Sequence, residues 1–194
     1  MLRRTPHLSW LIVVASVALV SIAAQRTQVP PKKSFVLERG RAGEFEIGMT
    51  VDELYKVVGR EYVRAVTSHR GAESRPAMDV RIPGFTSGPA LRISLDRICA
   101  PLAAWWIEVH DPRFQTPNGL GVGSTVGDLR RLYPNAKVVG IDTDDGAHVA
   151  INELGLWFEL ELAVTFTDST RVRTVSVLPQ TGIVKARRCP DQLR

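Results

Sequence analysis

Hydrophobic and polar residues follow two different periods along the chain. Near residues 50 and 125, apolar positions recur at helical spacing over about two turns. Between these segments and after the second one, apolar and polar residues alternate, as they do in strands with one buried face. This order of short helices and alternating segments predicts an α+β fold with antiparallel strands.

The two helical segments begin with similar motifs. FEIGMTVDEL, residues 45–54, resembles LGVGSTVGDL, residues 120–129. Thr50 with Glu53, and Thr125 with Asp128, have the spacing of a capping box, in which the side chains of the two residues satisfy backbone N–H groups at the start of a helix. The first helix is expected to end at Gly59 and the second at Pro134.

Alternating segments follow each helix. In the second half these are residues 136–141, 148–152, 156–162 and 171–178, and in the first half they are residues 91–95 and 105–109. Residues 68–89 are rich in glycine and proline and are expected to be less regular than the other segments. The pattern predicts two tandem repeats, each a short helical segment packed on an antiparallel β-sheet, at residues 41–112 and 113–182.

The N-terminal residues resemble an export signal. Arg3 and Arg4 precede an uncharged apolar run over residues 11–24, which is followed by small residues suited to cleavage. The run is shorter than the roughly 20 residues that a membrane-spanning helix needs. Residues 1–24 are therefore predicted to be a cleaved signal peptide and residues 25–40 a linker. An uncleaved anchor is the alternative, and only in that case would a membrane be a partner.

Export changes the interpretation of the two cysteines. Cys99 and Cys189 would enter an oxidising compartment, and their positions lack the CxxC spacing of a zinc site. A disulfide between them is favoured over free thiols or metal ligation. The tail over residues 183–194 is basic, which is typical of a solvated chain end, and contact with anionic lipid or cell-wall polymer is the alternative.

The repeated motif, carried by Ile47-Gly48-Met49-Thr50 and Val122-Gly123-Ser124-Thr125, resembles the β-lactamase-inhibitor-protein fold. It is also similar to small envelope lipoproteins of the SmpA/OmlA type, although this chain has no cysteine at the end of its apolar run. The resemblance implies a sheet face that binds another protein without catalysis. It transfers no binding residue.

Strand parity identifies a candidate face. If Trp105, Ile107 and Val109 point to the core, the residues between them point away, and the same holds around Leu156, Phe158 and Leu160. Arg92 and Asp96 are expected on the same face. Tryptophan is enriched at binding hot spots. The residues predicted to bind a partner are Trp106, Glu108, His110, Trp157, Glu159 and Glu161.

Other chemistry has weaker support. Asp142 and Asp144, with Glu153, partly match a calcium loop, but a hairpin turn explains the same residues. The histidines of the folded part, His69, His110 and His148, do not have a metal-ligand spacing. No nucleophile motif is present, and the formal charge of +5 is too small an excess to indicate nucleic-acid binding.

The sequence therefore predicts a secreted or periplasmic, non-catalytic module, without a cofactor, that binds another envelope or extracellular protein. The alternatives are a hydrolase-type enzyme with a site between the repeats, and an accessory module that binds calcium or cell-wall polymer.

Overall fold

A computed structural model describes residues 34–70, 73–96, 102–140 and 146–179. The predicted signal peptide, Cys99, Cys189, Asp142, Asp144 and the basic tail lie outside the described residues. Among the described residues, no helix is long and apolar enough to cross a membrane.

The described residues form two helices and a series of strands. The helices are α1 (Val51–Val58) and α2 (Val126–Leu132), and a 3-10 turn (Arg60–Tyr62) follows α1. The strands are β1 (Leu37–Glu38), β2 (Arg41–Ala42), β3 (Phe45–Glu46), β4 (Val63–Arg70), β5 (Glu73–Val80), β6 (Leu91–Asp96), β7 (Ala103–Val109), β8 (Val138–Val139), β9 (His148–Ile151), β10 (Leu156–Leu160) and β11 (Val172–Val177).

The strands β4 to β11 form one antiparallel sheet in the order β4-β5-β6-β7-β11-β10-β9-β8. Each helix is followed by a four-stranded meander, β4 to β7 after α1 and β8 to β11 after α2. The meanders join where β7 pairs with β11, with Val109 opposite Val175 and Ile107 opposite Val177. The predicted α+β class with antiparallel strands is confirmed.

Both meanders and both helices contribute to a single hydrophobic core. Leu54 of α1 and Leu129 of α2 are completely buried, as are Ile107 and Val175 on the two central strands. The small sheet β1-β2-β3 adds Leu37 and other apolar residues to the same cluster. The core thus occupies one face of the large sheet, because alternate strand residues point to that face.

Each helix begins with the capping arrangement that the sequence indicates. The hydroxyl of Thr50 accepts a bond from the Glu53 N–H, and the Glu53 carboxylate accepts one from the Thr50 N–H. Thr125 and Asp128 make the same two bonds in α2. Helix α1 ends at Gly59, whose φ of 89° is the left-handed conformation that favours glycine.

Two features of the first half bear on the sequence expectations. Residues 68–89 are not irregular throughout, because β4 and β5 form a hairpin with eight consecutive residue pairs. Pro76 is tolerated there because it lies just beyond Ala77, the last β5 residue in register with β6, so its missing N–H falls at the end of a ladder.

The second feature concerns the last residues of the predicted linker, residues 25–40. Leu37, in β1, is completely buried, and its N–H donates to the carbonyl of Gln115 at 2.8 Å. Phe35 packs edge-on against Phe114 with ring centroids 5.0 Å apart. The folded body therefore already includes the last residues of the predicted linker, since apolar side chains such as Leu37 fill the core between the helices and the small sheet.

Candidate functional site

The face of the large sheet opposite the core, here called the outer face, carries most of the residues predicted to bind a partner. Ile107 and Val109 are completely buried in the core, and Trp106, Glu108 and His110 alternate with them on the outer face. On β10, Trp157 and Glu159 alternate in the same way with buried Leu156, Phe158 and Leu160. Strand parity thus places both tryptophans on the same face.

Trp105 departs from the parity expectation. The register between β6 and β7 places Ser94 opposite Trp106 and Leu95 opposite Ala104, so Trp105 is an extra residue in a β-bulge. Its ring packs against the core and also lines an outer-face cavity of about 120 Å³. The bulge changes the direction of this side chain. The alternating pattern of one strand does not reveal the bulge, because the bulge is defined by the pairing with β6. The cavity is lined by Ser68, Glu73, Arg75, Ser94, Trp105, Trp106 and Glu108.

The indole rings of Trp106 and Trp157 meet edge to face, with centroids 5.3 Å apart. The alternating pattern placed the two tryptophans on strands of different halves and did not indicate how far apart those strands lie. In the sheet, however, β7 is the last strand of its meander and β10 is the third of its own, and only β11 separates them. The two rings therefore form one cluster rather than two separate copies of a site.

His148 extends this aromatic cluster. Its imidazole stacks on the Trp157 ring with centroids 4.2 Å apart, and in the sheet it lies opposite Glu159. In the sequence, His148 has no metal-ligand spacing and no nearby residue that links it to Trp157. Only the pairing of β9 with β10 brings it against the tryptophan.

A buried chain of hydrogen bonds supports the cluster from beneath. The indole N–H of Trp106 donates to Ser176 Oγ at 3.1 Å, and the Ser176 hydroxyl donates to Glu159 Oε1 at 2.7 Å. Ser176 is completely buried and Glu159 is only 8% exposed. Ser176 gave no sequence signal, because a serine on an alternating strand is ordinarily a solvent-facing residue.

Glu159 is therefore less accessible than the prediction assumed. Its second oxygen lies 4.0 Å from a guanidinium nitrogen of Arg173, at the edge of ion-pair range. Arg173 is the extra residue of a second bulge, since Glu159 pairs with Thr174 and Leu160 pairs with Val172. Glu159 orients neighbouring groups and offers little surface to a partner.

His110 lies at the end of β7 and is partly buried. Its Nδ1 is 3.5 Å from the hydroxyl of Thr174, which is the outer limit for a hydrogen bond. Burial lowers the pKa of His110, Arg92 lowers it further, and Glu159 opposes both effects. Burial thus disfavours the protonated form of the imidazole.

Glu161 does not belong to the strand that carries Trp157. It is exposed, follows the last β10 residue Leu160, and donates its backbone N–H to the carbonyl of Arg171 at 2.9 Å. The predicted strand extended to residue 162, but β10 ends earlier, where the pairing with β11 shifts register. Glu161 therefore lies just beyond the paired part of β10.

Ion pairs surround the aromatic cluster on the first meander. Arg92 donates two bonds to the Asp79 carboxylate, at 2.7 and 3.1 Å, and lies opposite Glu108. Arg75 bridges Glu73 and Asp96 at 2.8 Å each. These pairs raise the pKa of both arginines, through hydrogen bonds from Arg92 to Asp79 and from Arg75 to Glu73. Arg92 and Asp96 share the outer face, and the cluster has a charged border.

Within the described ranges, no group of three or more histidine, cysteine or acidic residues is arranged to hold a metal ion. The calcium alternative depended on Asp142 and Asp144, which lie outside those ranges.

Comparisons with known proteins establish the fold and nothing narrower. The chain is similar to the crystal structure of the uncharacterized protein YfeY from Escherichia coli, with a TM-score of 0.50 and 11% sequence identity. The match covers 75% of this chain and 99% of that one. No family model matches the chain, and no curated protein matches it.

Proposed function

We propose that this protein is an exported, non-catalytic module that binds another envelope or extracellular protein through its outer face. The observation that carries the proposal is the aromatic cluster of Trp106, Trp157 and His148 at the centre of that face. The rings contact one another at 5.3 and 4.2 Å. Large aromatic side chains held in this way lose little conformational entropy when a partner covers them.

The surroundings of the cluster support the same proposal. Protein interfaces combine an apolar, aromatic centre with a polar border. Here Trp106 and Trp157 are partly exposed, and charged residues such as Arg92 and Glu108 lie beside them. Ser176 and Glu159 hold the cluster from below and are themselves buried. This is the arrangement of a preformed binding surface.

We also propose that the chain consists of two tandem repeats. Before α1, Gly48 donates its N–H to Ala104 on β7 at 2.7 Å, and before α2, Gly123 donates its N–H to Val172 on β11 at 2.9 Å. Both glycines have a left-handed φ, of 91° at Gly48 and 89° at Gly123. In each half the strand residue that accepts this bond is followed by the bulged residue, Trp105 or Arg173. Such detailed correspondence supports duplication of one unit.

The proposal also includes export, a disulfide and a relationship to known folds. The basic and apolar start of the chain supports export, and export supports a Cys99–Cys189 disulfide. The repeated helix-opening motif supports a relationship with the β-lactamase-inhibitor and SmpA/OmlA folds. A shared scaffold does not specify which protein is bound.

The deciding experiment compares variants of the purified protein in capture from a cell-envelope extract. Trp157→Ala removes the central ring of the cluster. Tyr62→Ala is the matched control, because Tyr62 is an exposed aromatic residue in the turn before β4, at the end of the sheet and outside the aromatic cluster. A captured protein is then purified, and its affinity for each variant is measured by calorimetry.

We expect Trp157→Ala to weaken binding by about 2 kcal/mol or more, which is the usual effect of losing a hot-spot tryptophan. Tyr62→Ala should bind as the parent does. Equal affinities for the parent and Trp157→Ala, with both folded by circular dichroism, would contradict the proposal.

A further inference from the structure

We infer that the outer edge of β4 is a second interaction surface, which accepts an extended acidic segment of a partner protein as an added strand. The inference concerns the backbone of the sheet edge and does not depend on the aromatic cluster.

The strands at the two ends of the large sheet differ in length. β4, at one end, has eight residues, whereas β8, at the other, has two. β4 pairs with β5 over eight consecutive positions without a register shift, from Val63 opposite Val80 to Arg70 opposite Glu73. Among the described strands, β4 pairs with β5 on one side and with no strand on its other side. A long, regular edge strand is a template for another strand, and proteins commonly shorten, bulge or cover such edges.

The register shows which backbone groups of β4 point outward. The carbonyl of Tyr62 accepts a bond from the Arg81 N–H at 2.8 Å, so this pair is of the hydrogen-bonded type. Because the types alternate in antiparallel sheets, the N–H and C=O groups of Ala65, Thr67 and His69 point away from β5. All three residues are exposed.

Pro76 gives independent support for this assignment. It lies opposite Thr67, and proline has no N–H to donate across the pair. A proline is compatible with this position only if its pair with Thr67 is of the non-hydrogen-bonded type. Counting alternate pairs from the hydrogen-bonded pair of Tyr62 and Arg81 gives the same type for Thr67 and Pro76.

The charge of β4 selects the kind of partner. The strand contains Arg64 and Arg70 and no acidic residue. Arg64 is exposed, and Asp79, directly opposite it on β5, is already held by two bonds from Arg92. An added strand with glutamate or aspartate at alternate positions would place a carboxylate beside Arg64.

A second copy of this chain fits the edge less well. Antiparallel pairing of two β4 strands about Thr67 sets Arg64 of each copy against Arg70 of the other. Pairing about Val66 instead makes the same arginines diagonal neighbours. Like charges at these positions destabilise a sheet, so the edge favours an acidic partner over self-association.

The test is a titration of the purified protein, followed by amide hydrogen exchange in NMR spectra. One capped peptide alternates valine and threonine with glutamate, a second has lysine in place of glutamate, and a third has the sequence of β4. The glutamate peptide should slow exchange at the amides of Ala65, Thr67 and His69. It should bind about tenfold more tightly than the other two.

Two variants separate edge pairing from general charge attraction. Thr67→Pro removes one outward N–H and should abolish binding, whereas Thr67→Val, which retains the N–H, should not. Arg64→Glu should reverse the preference toward the lysine peptide. The inference is overturned if no peptide slows exchange at these amides, if the β4 peptide binds best, or if Thr67→Pro, folded by circular dichroism, binds as the parent does. The outer-face proposal is unaffected by these outcomes, because no variant touches Trp106 or Trp157.

Discussion

Replacing Ser176 with alanine tests whether the buried hydrogen-bond chain stabilises the sheet beneath the aromatic cluster. Ser176 is completely buried on β11, where its hydroxyl accepts from Trp106 at 3.1 Å and donates to Glu159 at 2.7 Å. The substitution removes one oxygen atom and changes the packed volume little. Its effect therefore reports the two hydrogen bonds rather than a cavity.

The two bonds set the expected magnitude. A hydrogen bond to a charged group contributes about 1.5 to 3 kcal/mol, and one between neutral groups about 0.5 to 1.5 kcal/mol. Because the acceptor carboxylate of Glu159 is only 8% exposed, water replaces the lost bond poorly. Ser176→Ala should lower the free energy of unfolding by roughly 2 to 4 kcal/mol. For a protein of this size the melting temperature should fall by roughly 6 to 12 °C.

Thr174→Val is the matched control. Thr174 lies two residues away on the same strand, points to the same face and is also buried, at 4% exposure. Its hydroxyl is 3.5 Å from His110, so little hydrogen-bond energy is available to lose. Urea denaturation of the parent and both variants, followed by tryptophan fluorescence, measures the difference.

Thr174→Val should change stability by no more than about 0.5 kcal/mol. The reasoning is refuted if the two substitutions destabilise the protein equally, because geometry would then not distinguish the hydroxyls. It is also refuted if Ser176→Ala is neutral.

Three further predictions concern other parts of the fold. Thr125→Val should cost about 1 kcal/mol in urea denaturation at neutral pH, since it removes the α2 cap. Backbone and side-chain hydrogen bonds from Thr125 lower the pKa of Asp128. Thr125→Val removes only the side-chain bond to that carboxylate, so its share of the stabilisation is lost as the pH falls below about 4, and the difference between parent and variant should narrow there. Gly123→Ala should cost about 1 to 3 kcal/mol at neutral pH, because φ is 89° at this position; a neutral result in the same assay would show that the backbone can relax. Burial lowers the pKa of His110 below its ordinary 6.5. The unfolded chain therefore binds a proton first as the pH falls, and stability should decrease as the pH falls through about 6.5. His110→Gln should flatten that decrease in melting temperature, and an unchanged slope would exclude His110 as its source.

Local signals were sufficient for several elements. The capping residues Thr50 and Thr125 mark the starts of both helices, because the cap bonds involve residues three positions apart. Alternation located β6, β7, β10 and β11 to within a few residues, because one face of each strand is buried.

Other features depended on partners distant in sequence. The β4–β5 hairpin was missed because Pro76 is unfavourable in a strand by local rules, yet its position beyond the β6 ladder makes it acceptable. The bulges at Trp105 and Arg173 were missed because a bulge is defined by the opposing strand.

The sequence by itself determined the fold class, the helix starts and the face on which Trp106 and Trp157 lie. Each of these follows from residues within a few positions of one another, whose spacing is set by helix and strand geometry. Only the tertiary structure decided that β11 lies between β7 and β10, so that the tryptophans meet and Ser176 joins one of them to Glu159. Strand order depends on how the whole core is buried. It brings together residues such as Trp106 and Ser176, which are 70 positions apart in the sequence.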